Sequence, residues 1–182
     1  ELVQRLNHEN RVLAYHDRSD GGLFVTLCEM AFAGHCGVDV RLEALGASPT
    51  AALFSEELGF VLQVAAADAE AVLSLAQESG LRGYEIGAPT KDDRVRFTSA
   101  GREVFSKSRE TLYKCWAETS FRVAALRDNP ECAEEEFASV GAKDDAGLSV
   151  SLSFSPHSSP LTPHRGRRPR IESLRDQGVT GR

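Results

Sequence analysis

The chain is predicted to be an α/β protein, an α+β sandwich in which helices pack on a mixed sheet. Three observations carry this. Apolar runs of strand type and stretches of helical apolar spacing take turns along residues 1–130. Residues 92–108, DDRVRFTSAGREVFSKS, hold two alternating runs about Ala100 and Gly101, the pattern of a hairpin. Strand and helix alternation favours parallel pairing, so one hairpin among such units implies a mixed sheet.

Each element has its own reason. ELVQRLNHENRV reads as a helix with Leu2, Leu6 and Val3 on one face, and VLAYH as a short buried strand. From Gly22 to Ala33, the residues Leu23, Leu27, Met30 and Ala31 recur at helical spacing, and Gly34 is placed to stop the helix. CGVDVRL alternates as a strand. SPTAALFSEEL offers Ser48 as N-cap and Pro49 at the first helical position. GFVLQVAA is a strand, ADAEAVLSLAQESG a helix closed by Gly80, and YEIGAP a short strand. In SRETLYKCWAETSFRVAALRDNP, Ser108 caps a long helix whose apolar face carries Leu112, Cys115, Trp116, Thr119 and Val123, and Asn129-Pro130 ends it. ECAEEEFASVGAKDDAG is acidic and allows a helical turn or more, whereas SFSPHSSPLTPHRGRRPR has the Ser, Pro and Arg content of a linker.

Composition removes several classes of function. Hydrophobic residues at 41% and charged residues at 26% over 182 residues suit one globular domain with a tail. A net charge of -6 gives no general reason to expect nucleic acid or an anionic membrane as partner. The basic cluster Arg165, Arg167, Arg168 and Arg170 lacks the interleaved aromatics of a nucleic-acid site. No apolar run is long enough for a membrane helix, and ELVQRLNHEN lacks the layout of a signal peptide, so a cytoplasmic setting is expected. Cys28, Cys36, Cys115 and Cys132 show no metal-ligand spacing and are expected to be reduced thiols, with Cys28 and Cys115 packed inside helices.

The stretch HDRSDGG, residues 16–22, places a polar knot between a strand and a helix. Such a junction gathers backbone N–H groups and the positive end of a helix dipole, an arrangement suited to phosphate. Gly21 and Gly22, without Cβ atoms, permit close approach of a ligand or of another backbone. Asp17 supplies a hard oxygen of the kind Mg²⁺ prefers, and Ser19 can donate to a phosphate oxygen. The same residues also fit a plain turn, with Asp20 or Ser19 capping the helix and Arg18 solvated. No Walker lysine or GxGxxG fingerprint accompanies them.

Longer stretches carry a resemblance. AYHDRSDGGLFVTLCEMAFAGHCGVDV, LFSEELGFVLQV, SRETLYKCWAETSFRVAALRDNPECAEEE and PRIESLRDQGV, in that order, resemble phosphoribosylformylglycinamidine synthase in its large single-chain form. The resemblance runs through residue 138, fades, and returns at residues 169–179. It implies an ATP-dependent ligase of purine biosynthesis that converts formylglycinamide ribonucleotide to its amidine with ammonia from glutamine. It also implies a C-terminal domain like that of aminoimidazole ribonucleotide synthetase. The expected layout is a synthetase C-terminal-like domain at 1–106, a helical extension at 107–140, a disordered linker at 141–168 and the start of a glutaminase domain at 169–182.

By the same resemblance the family's HDxSDGG motif falls on His16 to Gly22, where similar enzymes hold a structural, auxiliary nucleotide, ATP or ADP, with Mg²⁺. Asp17 matches a magnesium ligand, Ser19 a nucleotide contact, and Gly21 and Gly22 the nucleotide-binding turn. Glu56 and Glu57 match a family signature, but paired glutamates after a helix read as a solvated face, and no catalytic residue is assigned. The family's glutaminase Cys, His and Glu lie further downstream than Arg182, and Glu172, Ser173 and Thr180 depart from its opening strand. The chain alone is therefore expected to be inactive and to need a nucleotide lobe and a glutaminase domain as partners. A kindred synthetase of the same superfamily and a non-catalytic binding module are the alternatives. The WAETSF, ECAEEE and PRIESLRDQGV segments speak against the first.

Overall fold

The computed structural model describes residues 1–46, 48–142 and 149–153. Residues Glu1–Asp145 form one compact unit, and 149–153, in a second unit, contain no helix or strand. The element order is α1 (Leu2–His8), β1 (Ala14–Asp17), α2 (Gly22–Gly34), β2 (Gly37–Arg41), α3 (Pro49–Phe54), β3 (Phe60–Gln63), α4 (Ala69–Glu78), β4 (Gly87–Thr90), β5 (Arg94–Ser99), β6 (Arg102–Ser108), α5 (Arg109–Arg127) and α6 (Pro130–Ser139). Among the described residues, no helix is long and apolar enough to cross a membrane.

The sheet is mixed, as expected. Its order is β4-β2-β5-β6, with β2 and β5 parallel and the other pairs antiparallel. The hairpin turns at Ala100 and Gly101, both with positive φ, 49° and 70°, the two-residue geometry that matches strand twist. Val40, Val95 and Phe97 face inward and meet Leu23, Leu27, Cys28, Ala31 and Phe32 of α2, forming the main core. Helices therefore pack on one face of a mixed sheet, the sandwich read from the sequence.

Several local expectations need correction. β1 is no buried strand: it pairs only with β3, antiparallel, in a separate two-stranded ribbon, and Tyr15 is 43% exposed. A ribbon has no flanking strands, so its alternate residues reach solvent. α1 stops at His8, and α2 ends with His35, not Gly34, in the left-handed conformation. YEIGAP starts its strand only at Gly87. Ser48 and Ser108 cap their helices as expected, accepting from the N–H groups of Ala51 and Thr111. Asn129 and Pro130 do more than end α5, because Asn129 Oδ1 accepts from the N–H groups of Glu131 and Cys132 and starts the ten-residue α6.

Cys28 is buried as expected, but Cys115 is exposed, as are Trp116, Thr119 and Val123 of α5. The helix outruns the sheet it packs on. Leu112 and Tyr113 join the core, whereas Phe121 finds its partner in Phe137 of α6, with ring centroids 4.4 Å apart. The expectations for 143–148 and 154–182, including most of the linker, the basic cluster and the glutaminase start, lie outside the described residues.

Candidate functional site

The polar knot lies where β1 hands over to α2. Asp17 is the last residue of β1, Gly21 is the N-cap of α2, and Gly22 is its first residue. Both glycines have positive φ, 82° and 66°. A Cβ on Gly21 would strike Val25, and one on Gly22 would sit 2.7 Å from the Leu53 carbonyl oxygen of α3. Gly22 thus serves an approach between backbones, the second of the two uses anticipated for it.

Neither Asp20 nor Ser19 caps α2 through its side chain. The Gly22 N–H donates to the Ser19 carbonyl oxygen at 2.9 Å, and the Gly21 N–H donates to Glu56 Oε1, also at 2.9 Å. The carboxylate at the positive end of α2 is therefore supplied by the segment after α3, 35 positions away. Arg18 is not solvated either: its side chain is 18% exposed, and its guanidinium donates to the Ser55 carbonyl oxygen at 2.5 Å and the Ala52 carbonyl oxygen at 3.4 Å. A cation on carbonyls at the end of a helix complements the negative pole of its dipole. Two opposite charges thus clamp the knot to the SEELG segment. Glu56 and Glu57 are both exposed, as the solvated-face reading expects, and Glu56 in addition holds the turn.

Asp17 and Ser19 are exposed. The Tyr15 hydroxyl donates to Asp17 Oδ1, and the carboxylate that accepts this proton holds the Tyr15 phenol above its ordinary pKa. His16 points to the other face. Its Nδ1 donates to the Asp17 carbonyl oxygen at 2.7 Å, and its Nε2 lies 3.0 Å from Glu29 Oε2. Glu29 Oε1 accepts from Trp116 Nε1 at 2.9 Å, which ties α5 to the strand end. Thr26, fully buried, donates to the Gly22 carbonyl oxygen at 3.0 Å. Glu29 and Trp116 lie 87 positions apart, and the side chain of Glu29 carries no local motif that could have announced its role.

No set of three or more His, Cys, Asp or Glu side chains is disposed to hold a metal among the described residues. One carboxylate with a hydroxyl two residues on does fit Mg²⁺ that arrives with a nucleotide, since that ion keeps waters and takes one or two carboxylates plus phosphate oxygens.

Residues 1–99 match the family described as AIR synthase related protein, C-terminal domain. The chain belongs to this family. Among solved structures, Thermotoga maritima PurL complexed with ATP is similar with a TM-score of 0.57 at 19% identity, over 61% of this chain and 20% of that chain. The same organism's PurL complexed with ADP gives the same TM-score and identity. Escherichia coli HypE, a hydrogenase maturation protein, is similar at 25% identity with a TM-score of 0.48, over 56% of this chain and 37% of that one. The chain spans about a fifth of the length of the PurL chains, and likeness at this level describes the fold.

Proposed function

We propose that the chain is the C-terminal synthetase-like part of a phosphoribosylformylglycinamidine synthase of the large single-chain form, and that its β1–α2 junction holds the phosphates of ATP or ADP with Mg²⁺. The observation that carries this reading is the strand end at Asp17, followed by two glycines of positive φ that open α2. Asp17 is the magnesium ligand, and Ser19 donates to a phosphate oxygen. Gly21 and Gly22 shape the turn, and the Gly21 N–H passes from Glu56 to a phosphate oxygen. Bound Mg²⁺ would neutralise phosphate charge that Asp17, Asp20 and Glu56 would otherwise repel. Support comes from membership in the AIR synthase related family and from the likeness to PurL, which is known with ATP, with ADP and with FGAR.

In this reading the ligase reaction, with formylglycinamide ribonucleotide and glutamine as substrates, belongs to a complete cytoplasmic enzyme with a second nucleotide lobe and a glutaminase domain. Residues 1–106 and 107–140 supply the synthetase-like domain and its helical extension, 141–168 link them onward, and 169–182 begin the glutaminase. Neither nucleic acid nor membrane is a partner.

Asp17→Asn tests the site. Ligand-detected NMR at millimolar Mg·ATP should show roughly tenfold weaker binding than wild type, a loss of about 1.4 kcal/mol. Without Mg²⁺ the two proteins should bind ATP alike. Equal binding in both conditions would leave the knot as a structural turn.

A further inference from the structure

Tyr15 and Phe60 form the second feature of this junction. In the β1–β3 ribbon Asp17 stands directly opposite Phe60 and Tyr15 opposite Leu62. Opposite residues of an antiparallel pair share a face, so the Asp17 carboxylate, the Tyr15 ring and the Phe60 ring lie side by side. The Tyr15 hydroxyl bond to Asp17 pins one ring to the carboxylate. The two rings have centroids 5.9 Å apart and planes tilted by 31°. They are tilted neighbours that leave ring surface uncovered, unlike Phe121 and Phe137, which stack on each other at 4.4 Å and 15°.

The rings are open to solvent. Tyr15 and Phe60 are 43% and 37% exposed. Scattered exposed apolar residues need no explanation, but two exposed rings on the same face of a ribbon as a carboxylate form a patch of specific chemistry. An aromatic shelf next to a phosphate and cation site offers a flat apolar face at one end and charge at the other, the two-ended chemistry of a nucleotide. Stacking on aromatic side chains suits any base, because every base has a π-face.

We propose that Tyr15 and Phe60 are the base platform of the junction, stacking the nucleobase of the nucleotide whose phosphates face Asp17 and Ser19. This rests on the nucleotide reading above, and the probes separate the two. Adenosine carries a base without phosphate, Mg·tripolyphosphate carries phosphate without a base, and Mg·ATP carries both. Ligand-detected NMR of this chain at millimolar probe should show saturation reaching the adenine protons of adenosine. Tyr15→Leu and Phe60→Leu should each weaken adenosine and Mg·ATP by roughly fivefold or more, and Phe60→Leu, whose lost ring makes no bond to Asp17, should leave Mg·tripolyphosphate unchanged. Tyr15→Phe, which keeps the ring and loses only the hydroxyl, should retain adenosine. Both side chains are partly exposed, so the leucine variants should keep the wild-type far-UV spectrum.

Absence of adenosine binding by wild type, or equal adenosine binding by wild type and both leucine variants, would overturn the platform. Self-association relieved by Phe60→Leu, with adenosine unaffected, would also overturn it and assign the face to a protein partner. An effect of Asp17→Asn on Mg·tripolyphosphate, with adenosine bound equally by wild type and both leucine variants, would keep the phosphate reading while the platform fell. Weakened adenosine in the leucine variants with an inert Asp17→Asn would do the reverse.

Discussion

Gly22 and Asp20 are neighbours in the knot with opposite tolerance to change. Gly22 holds φ of 66° and has the α3 backbone 2.7 Å from where a Cβ would stand. Gly22→Ala should therefore cost about 1–3 kcal/mol in urea unfolding, from left-handed strain plus the push on Leu53. Asp20→Ala should change stability by less than about 0.5 kcal/mol, because no side-chain cap is lost. Cys28 gives a pH signature. Burial pushes its thiol up to about 12 from 9.0, with Glu29 adding to the rise. The unfolded chain ionises first, so the stability this thiol contributes is whole below pH 9 and is lost as pH climbs from 9 toward 12. The difference in urea midpoint between wild type and Cys28→Ala should fall over that window, and a constant difference would refute it. The turn of Gly21 and Gly22 between strand and helix was legible in the sequence because its message is local. Arg18, Glu29 and Glu56 were not, since their partners lie 37, 87 and 35 positions away.

At the scale of elements, α5 shows what periodicity conveys and what it omits. Helical spacing identified the helix and its cap, and it placed Leu112 on the apolar face, but it could not say where along that face the core stops. Arg109, at the first position of α5, is buried, and its guanidinium donates to Asp93 Oδ1 at 2.6 Å. The aspartate offsets a cation at the positive end of the helix. Further on, the Trp116 contact to Glu29 is the last tie to α2 that a hydrogen bond makes, and the remaining turns depend on α6. Phe137→Ala should remove the Phe121 stack and speed tryptic cleavage after Arg122 and Arg127 relative to wild type. An unchanged rate would mean that α6 is held mainly by its other contacts.

In the whole molecule the strands were legible one by one, and their partners were not. An apolar run announced β1, alternation announced β2, and β3 was read as a strand as well, yet β2 enters the four-stranded sheet while β1 and β3 form a ribbon of their own. Pairing is a non-local choice, settled here by two apolar clusters. The main one lies between α2 and the sheet, and a smaller one gathers Leu2, Leu6, Val72 and Ala76, with Leu62 and Val64 packed against it. Leu6 is fully buried in the smaller cluster, so Leu6→Ala should cost about 2–5 kcal/mol. Hydrogen exchange should then show α1 and α4 opening before the β2–β5 pair. Simultaneous loss of protection would mean that the two clusters unfold as one.

The clamp between the knot and the SEELG segment also has a consequence in time. A ribosome delivers Asp17 to Gly22 first, and the Ser55 carbonyl, the Glu56 carboxylate and the Phe60 ring only after some 40 further residues, roughly two to eight seconds of elongation. During that interval the nascent loop has neither its counter-charges nor its opposite strand. The junction is thus completed by the arrival of a later segment, and a polypeptide released before Phe60 would carry every residue of the motif without its geometry.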